Sequence, residues 1–542
     1  MARAIVTYAR GWHALAITRS LGRRGIEVYC GEEAPFAPCF FSRYCTGDFQ
    51  YPSVSDQPAA FLDALEQKVG ELKLTADEPY VLIPVHKETW LIAQHRQRFE
   101  PHVRLALTTH ENMVRTHDKG KLASLAAELG IPTPPTRQFT STDELYRAVP
   151  ELGFPAFLKV REGAAGVGLK RVSSPEELTS SFKDFVTGFG LEPSEYPIVQ
   201  QFVEGEDYCT TMLYDHGRYV AGMTYRNVRS FPRDTGAGAL RETVQLPEAE
   251  RAARRLLDHL AWHGIAELDF RGAPDGPVFL IELNPRFFGG LSQAIAANVD
   301  YPHLLFRIAC GEQIDAVPEV DYDKRTETPI TGLVATLQEI AHDKERLRRF
   351  EKVYRELKVV GRSDLQSIRL RPFWDALKQA ADPKDLSAYL KGMFEKHQDT
   401  ISDVIQADDP KPALGVLYPI ALALKHGKLS MGVLTSEEDL ETERPRRRLR
   451  DMLRRPTWGV LLLTSLLFAT SIFLINWEPT SNNLGWLLAW PSRLASRLFG
   501  DAEDLGTIAG AIAHAGYHAL NFLFLYFCAV LALRQRRGDR QD

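Results

Sequence analysis

The stretch Ala266–Gly290, AELDFRGAPDGPVFLIELNPRFFGG, decides how this chain reads. It predicts a strand over Ala266–Phe270, a turn through Pro274-Asp275-Gly276 and a second strand over Val278–Leu283. Asp-Gly between two apolar runs is a strong hairpin signal. Asp269 leaves the first strand, and Glu282 and Asn284 leave the second at alternate positions, so they face one side. Two carboxylates and an amide oxygen are hard ligands that suit Mg²⁺ held against phosphates. Arg286 follows and can meet an anion bidentately. The alternative is a surface hairpin with solvated charges. It is disfavoured because Asp269 and Glu282 sit among apolar neighbours, where unpaired carboxylates are costly.

These residues resemble the metal-binding hairpin of the ATP-grasp superfamily, which includes biotin carboxylase, carbamoyl-phosphate synthase and D-alanine–D-alanine ligase. The family pattern is an acidic residue on one strand and Glu-x-Asn-x-Arg on the next, here Asp269 and Glu282-Leu283-Asn284-Pro285-Arg286. The resemblance implies ATP with Mg²⁺ (or Mn²⁺) on Asp269, Glu282 and Asn284, and a catalytic role for Arg286.

The same resemblance orders the preceding segment. His117-Asp118-Lys119 precedes an amphipathic helix, Leu122–Leu129, ended by Gly130 and followed by Ile131-Pro132-Thr133-Pro134-Pro135. The Asp-Lys match makes Lys119 the phosphate ligand and Lys121 a surface residue, with the reverse as the alternative. Phe154–Val160 is a strand with Lys159 inside an apolar run, and a lysine there needs an anionic partner. Gly163, Gly166 and Gly168 follow in a small-residue loop whose backbone N–H groups can close over phosphate oxygens. The lysine and loop match the family's second lysine and glycine-rich loop. Pro197–Phe202 is a further strand. The family implies that backbone groups near Gln201, Phe202 and Val203 read the adenine edge. It puts Glu206 on the ribose, with Asp207 second. Gln200 stands where the family usually has an acidic residue. Tyr225–Val244 reads as a polar loop with four arginines. Arg226 falls where the family has a cationic phosphate ligand, and Arg229, Arg233 and Arg241 are candidates to meet an anionic substrate. A helix over Glu248–His259 leads back to the hairpin.

A chain of 542 residues is too long for one core. Its 44% hydrophobic and 25% charged content is ordinary for a globular protein, and a net charge of −5 argues against general nucleic-acid binding. Six cysteines without C-x₂-C spacing disfavour zinc and redox motifs and fit a reducing cytosol. The N-terminus opens directly into a strand without a signal peptide. Ala4–Tyr8, a helix over Ala14–Leu21 and Ile26–Cys30 form a βαβ opening, which implies parallel strands and lacks G-x-G-x-x-G. Tyr80–Val85 is a further buried strand; His86-Lys87-Glu88 follow at its C-terminal end, the edge where open α/β sheets bind ligands, and the trio reads as a solvated loop with contact to substrate as the alternative.

Beyond residue 312 the chain reads as helical and charged, with a break at Asp408–Pro412. An arginine cluster over 444–455 precedes nineteen uncharged residues, Trp458–Asn476, enough to span a bilayer. Leu484–Phe499 reads as an interfacial segment, and a second span runs over about 507–533 with arginines beyond it. Basic residues outside both spans put both termini and the ATP site in the cytoplasm, on the inner membrane.

The expected architecture is an α/β N-terminal domain (1–114), an α+β ATP-grasp domain (115–315), a helical charged region (316–442) and a two-helix membrane anchor (443–542). The expected function is ligation at the cytoplasmic face of a membrane. A small-molecule or lipid-linked carboxylate would be activated as an acyl phosphate and attacked by an amine, releasing ADP. Membrane lipid, a membrane protein or a second copy are the expected partners, with no nucleic acid. The alternatives are a bicarbonate-using carboxylase or carbamoyl phosphate-forming enzyme, and a non-catalytic ATP-sensing module.

Overall fold

The computed structural model describes residues 2–73, 75, 78–162, 168–231, 237–273, 276–316, 319–328 and 400–417. Two compact units divide the chain. The first holds Met1–Ser230, Asp234–Thr328 and Ile401–Leu449, and the second holds Phe231–Arg233, Pro329–Thr400 and Arg450–Asp542. The description that follows concerns the first. Both expected membrane spans, 458–476 and 507–533, lie outside the described residues. Among the described residues no helix is long and apolar enough to cross a membrane.

The N-terminal part alternates strand and helix. In order it holds β1 (Arg3–Val6), α1 (Trp12–Gly22), β2 (Glu27–Glu32), β3 (Gly47–Gln50), α2 (Pro58–Glu71), β4 (Tyr80–Ile83) and α3 (Lys87–Gln94). Its sheet runs β3-β2-β1-β4, and every pair is parallel. Apolar runs such as Ala4–Val6 and Val81–Ile83 are fully buried, as parallel strands covered on both faces require. Just past β1 and β4, Tyr8 (φ 58°) and His86 (φ 62°) occupy left-handed backbone and stack at 4.5 Å. Strain of this kind collects at ligand-facing edges.

Next come α4 (His110–His117), α5 (Lys119–Glu128), β5 (Thr136–Arg137), α6 (Thr142–Ala148), β6 (Ala156–Lys159), β7 (Leu169–Val172), α7 (Pro175–Phe189) and β8 (Ile198–Gln201). The four strands form an antiparallel sheet, β5-β8-β6-β7, over a core that includes Leu145, Leu158, Leu178 and Phe182.

The larger sheet is built from β9 (Glu206–Asp215), β10 (Arg218–Phe231), β11 (Ala237–Val244), β12 (Gly264–Gly272), β13 (Val278–Asn284), β14 (Arg325–Glu327) and β15 (Thr400–Ser402), in the order β13-β12-β9-β10-β11-β14-β15. Helices α8 (Pro247–His259), α9 (Leu291–Ala296) and α10 (Tyr301–Ala309) accompany it. His216 and Gly217, both at positive φ, make the two-residue turn that joins β9 to β10. Helix α8 buries Ala249, Ala253, Leu256 and Leu257 at helical spacing. These pack with Ala266, Leu268, Phe270, Leu280 and Leu283 of the hairpin. Burying each large side chain contributes roughly 2 kcal/mol.

A β-bulge sets the hairpin's two faces. Register shifts between the pairs Asp269↔Glu282 and Phe270↔Leu280, so Ile281 is the extra residue. With simple alternation Leu280 and Glu282 would share a face. The bulge lets Leu280 and Leu283 both enter the α8 core while Glu282 and Asn284 turn the other way.

Three expectations are corrected. Tyr225–Val244 is not a polar loop: its described residues lie in β10 and β11. Its charges suit a strand because Arg226 pairs with Glu206 and Glu242 on neighbouring strands. The segment expected to be helical from 316 onward contributes β14 and β15 to the large sheet. Asp409, read as part of a break, is a buried anchor: it accepts from Arg19 at 2.9 Å and Ser42 at 2.7 Å.

Candidate active site

Register brings four side chains of different strands into one row. Tyr225 of β10 lies opposite Cys209 of β9, Cys209 opposite Asp269 of β12, and Asp269 opposite Glu282 of β13. One step along, Glu267 faces Asn284. Asn284 Nδ2 donates to Asp269 Oδ2 (3.3 Å) and Glu267 Oε2 (3.4 Å), and its Oδ1 accepts from Arg286 Nη2 (3.1 Å). Tyr225 donates its hydroxyl to Glu267 Oε1 at 2.6 Å.

The electrostatics test whether these residues fit a divalent cation. Burial, then Glu267 and Glu282, push the Asp269 carboxyl well above the usual carboxylate range. Burial also raises Glu267, against the pull of Tyr225 and Arg286. Burial opposes the Glu282 charge too, yet Lys119, His117, Lys159 and Arg286 together hold it below its ordinary value. Three crowded carboxylates beside an amide need a cation or a proton to coexist. The oxygen donors Asp269, Glu282 and Asn284 therefore fit Mg²⁺ or Mn²⁺. A half-turn of the Asn284 amide exchanges its nitrogen for its oxygen toward the carboxylates.

Lys119 opens α5 behind the N-cap Asp118, which accepts from the backbone N–H groups of Gly120 and Lys121 and pairs with Arg161. Its Nζ stands 3.5 Å from Glu282 Oε2, and it is buried. Lys121 is exposed. Lys159, on β6, donates to Gln200 Oε1 at 2.8 Å. Burial lowers Lys159 to about 8, with Glu282 pulling it up and Lys119 pushing it down. Both lysines thus act on Glu282. Gly163 and Gly166 lie outside the described residues. Gly168, at φ 67°, closes the loop by accepting from the Val160 N–H at 2.8 Å, and a side chain there would strike Val160.

The β8 edge is built in part. Gln201 and Phe202 donate their backbone N–H groups to Pro135 and Pro155, and the Val203 carbonyl accepts from Arg271 at 2.8 Å. The Arg171 guanidinium lies 4.6 Å over the Phe202 ring.

Glu206 and Arg226 require correction. They pair with each other at 2.6 Å, and Glu206 accepts from the Tyr208 hydroxyl. Tyr208 belongs to the α8 core. Strand alternation therefore puts Glu206 and Arg226 on the face opposite the carboxylate row. Asp207, paired with Arg271, has the parity of Cys209 and shares the row's face. Arg241 is buried and pairs with Asp403 at 2.9 Å, rather than standing open for a substrate.

Four residues of the site carry no role in the sequence reading. Glu267 was legible, since it sits two positions before Asp269. Cys209 is placed by cross-strand register, which spacing in one strand cannot reveal. His117 is lowered to about 4 by burial against the pull of Glu282, and its Nδ1 is buried without a partner. His13, on the first turn of α1, is lowered to about 3 by burial, then Arg286 and Arg241. It stacks on Tyr8 at 5.7 Å and brings the strained edge of the N-terminal sheet to Arg286.

Residues 194–329 match the family model described as ATP-grasp in the biosynthetic pathway with Ter operon. The chain is 25% identical over 199 residues to a carbamoyl phosphate synthase large chain of Thermotoga neapolitana, covering 35% of this chain and 18% of that one. It is 29% identical over 199 residues to a formate-dependent phosphoribosylglycinamide formyltransferase of Azotobacter vinelandii, covering 35% and 49%. It is 24% identical over 215 residues to a D-alanine–D-alanine ligase of Pseudomonas entomophila, covering 35% and 63%. The chain thus spans less than two thirds of each of these relatives. Among solved structures it is similar to the biotin carboxylase domain of Hydrogenobacter thermophilus 2-oxoglutarate carboxylase, with a TM-score of 0.49, 16% identity and coverage of 59% and 73%. The family-model match over residues 194–329 and the curated relatives thus make this part of the chain similar to ATP-grasp proteins.

Proposed function

We propose that this protein is an ADP-forming ligase that activates a carboxylate and joins it to an amine. The observation that carries the reading is the convergence of Lys119 and Lys159 on Glu282, within the row that holds Asp269 and Asn284. Lys119, Lys159 and the loop ending at Gly168 would position the triphosphate. Mg²⁺ on Asp269, Glu282 and Asn284 would offset phosphate charge during transfer. The substrate carboxylate oxygen would attack the γ-phosphorus, and the bond to ADP would break. The amine would then attack the acyl carbon, inorganic phosphate would leave and the amine proton would pass to solvent. Arg286 would hold the carboxylate and then the acyl phosphate. Chemistry of this kind needs positioning and charge rather than a side-chain nucleophile.

The carboxylate substrate would lie between Arg286 and the N-terminal sheet edge at His13 and His86. A tether through 458–476 and 507–533 would hold this site at the cytoplasmic face of a membrane, which suits a lipid-linked or envelope precursor.

The test is ADP release by the purified chain against a panel of carboxylate–amine pairs, with Glu282→Gln as the blank. A pair that raises ADP release at least about a hundredfold over the blank supports the reading. Substrate-dependent release of AMP instead would exclude it.

A further inference from the structure

We propose that the carboxylate row also holds a thiolate-binding transition metal, Zn²⁺ by its chemistry, at Cys209, Glu267 and Asp269. The ligand atoms of these three residues all lie within 4.8 Å of one another. Their placement follows from the sheet. Cys209 and Asp269 are directly opposed on neighbouring antiparallel strands, and Glu267 lies one step along the same face. Cys209 and Glu267 are both buried.

The donor set differs from the all-oxygen set that suits Mg²⁺. One sulfur and two carboxylate oxygens give three protein ligands and leave a fourth tetrahedral position open. Thiolate selects softer metals, whereas Mg²⁺ is held by oxygen and water. The surroundings orient the donors. Tyr225 donates to Glu267 Oε1 at 2.6 Å, Asn284 donates to Glu267 and Asp269, and Asn227 Nδ2 lies 3.6 Å from the Cys209 sulfur. Such outer partners fix ligand orientation in metal sites. The strongest charges acting on Asp269 are those of Glu267, Glu282 and Asp207, all acidic. On binding, the Cys209 proton leaves to solvent and the sulfur ligates as thiolate.

Asp269 is common to this position and to the one proposed for Mg²⁺. Zn²⁺ here therefore competes with the nucleotide's metal and inhibits ligation, a consequence that rests on the proposed function. The metal site itself does not.

The test is titration of the full-length, metal-stripped protein with Co²⁺ in the absence of nucleotide. A thiolate-to-cobalt charge-transfer band is expected in the near ultraviolet, with displacement by Zn²⁺. Cys209→Ser loses the band and Cys310→Ser keeps it. Glu267→Gln keeps the band and weakens Co²⁺ binding about tenfold. Absence of the band in the unaltered protein at millimolar Co²⁺, or its persistence in Cys209→Ser, overturns the proposal. If Cys209→Ser fails to fold by circular dichroism, Glu267→Gln decides, and unchanged Co²⁺ affinity overturns the site. Mg²⁺-dependent ADP release from the same preparation is a separate readout, so a missing band leaves the ligase reading standing.

Discussion

Lys159 shows how one residue trades stability for function. Its ammonium is buried and lowered to about 8 from 10.5, which corresponds to about 3 kcal/mol of unfavourable burial. The unfolded chain keeps that proton up to about 10.5, so between pH 8 and 10.5 it binds more protons than the folded state there. Stability from this group therefore rises with pH across that window, and the cost is present in full below pH 8. Lys159→Met removes the charge with little change of shape. The variant is expected to gain about 1–3 kcal/mol in urea denaturation while losing most of its ATP affinity. In the unaltered protein, ATP binding is expected to weaken as pH rises through about 8, because the neutral amine no longer meets phosphate. A pH-independent Kd between 7 and 9, or a destabilised Lys159→Met, would contradict this account of the site.

At the scale of elements, the hairpin and the returning segment behave differently. The shared face of Glu282 and Asn284 was legible because alternation within one strand is a local pattern. The bulge at Ile281 was not, since it is defined only by the partner strand. The strands β10 and β11 were misread as a loop because the charge of Arg226 finds its partners on the neighbouring strands β9 and β11, which local sequence does not show. Residues 400–417 were illegible for a similar reason. Asp409 meets Arg19 from 390 positions away, with both side chains almost fully buried. Arg19 also donates to the Asp403 and Val404 carbonyls. Removing one partner of a buried pair leaves the other uncompensated. Asp409→Ala is thus expected to destabilise the protein by about 3–5 kcal/mol, read by chemical denaturation. A loss below about 1 kcal/mol would mean that the returning segment is not anchored by this pair.

For the whole molecule, the N-terminal sheet and the large sheet share one hydrophobic core, with Tyr8, Trp12, Leu15, Cys209, Tyr225 and Phe288 among its members. That shared core fixes His13 near Arg286, a placement that local sequence could not show, although the sheet edge at His86 was already a candidate for substrate contact. The proposed tether acts at this scale as well. The full chain is expected in the membrane fraction, resistant to alkaline carbonate, whereas a chain ending at residue 442 is released from it. Equal partitioning of the two chains would remove the tether from the account.

The most direct test of the central claim is anomalous diffraction from crystals of the protein grown with Mn²⁺ and a non-hydrolysable ATP analogue. The predicted result is a manganese peak between Asp269 and Glu282, with the triphosphate against Lys119 and Lys159. A nucleotide bound away from these lysines, or a manganese peak away from both carboxylates, would contradict it.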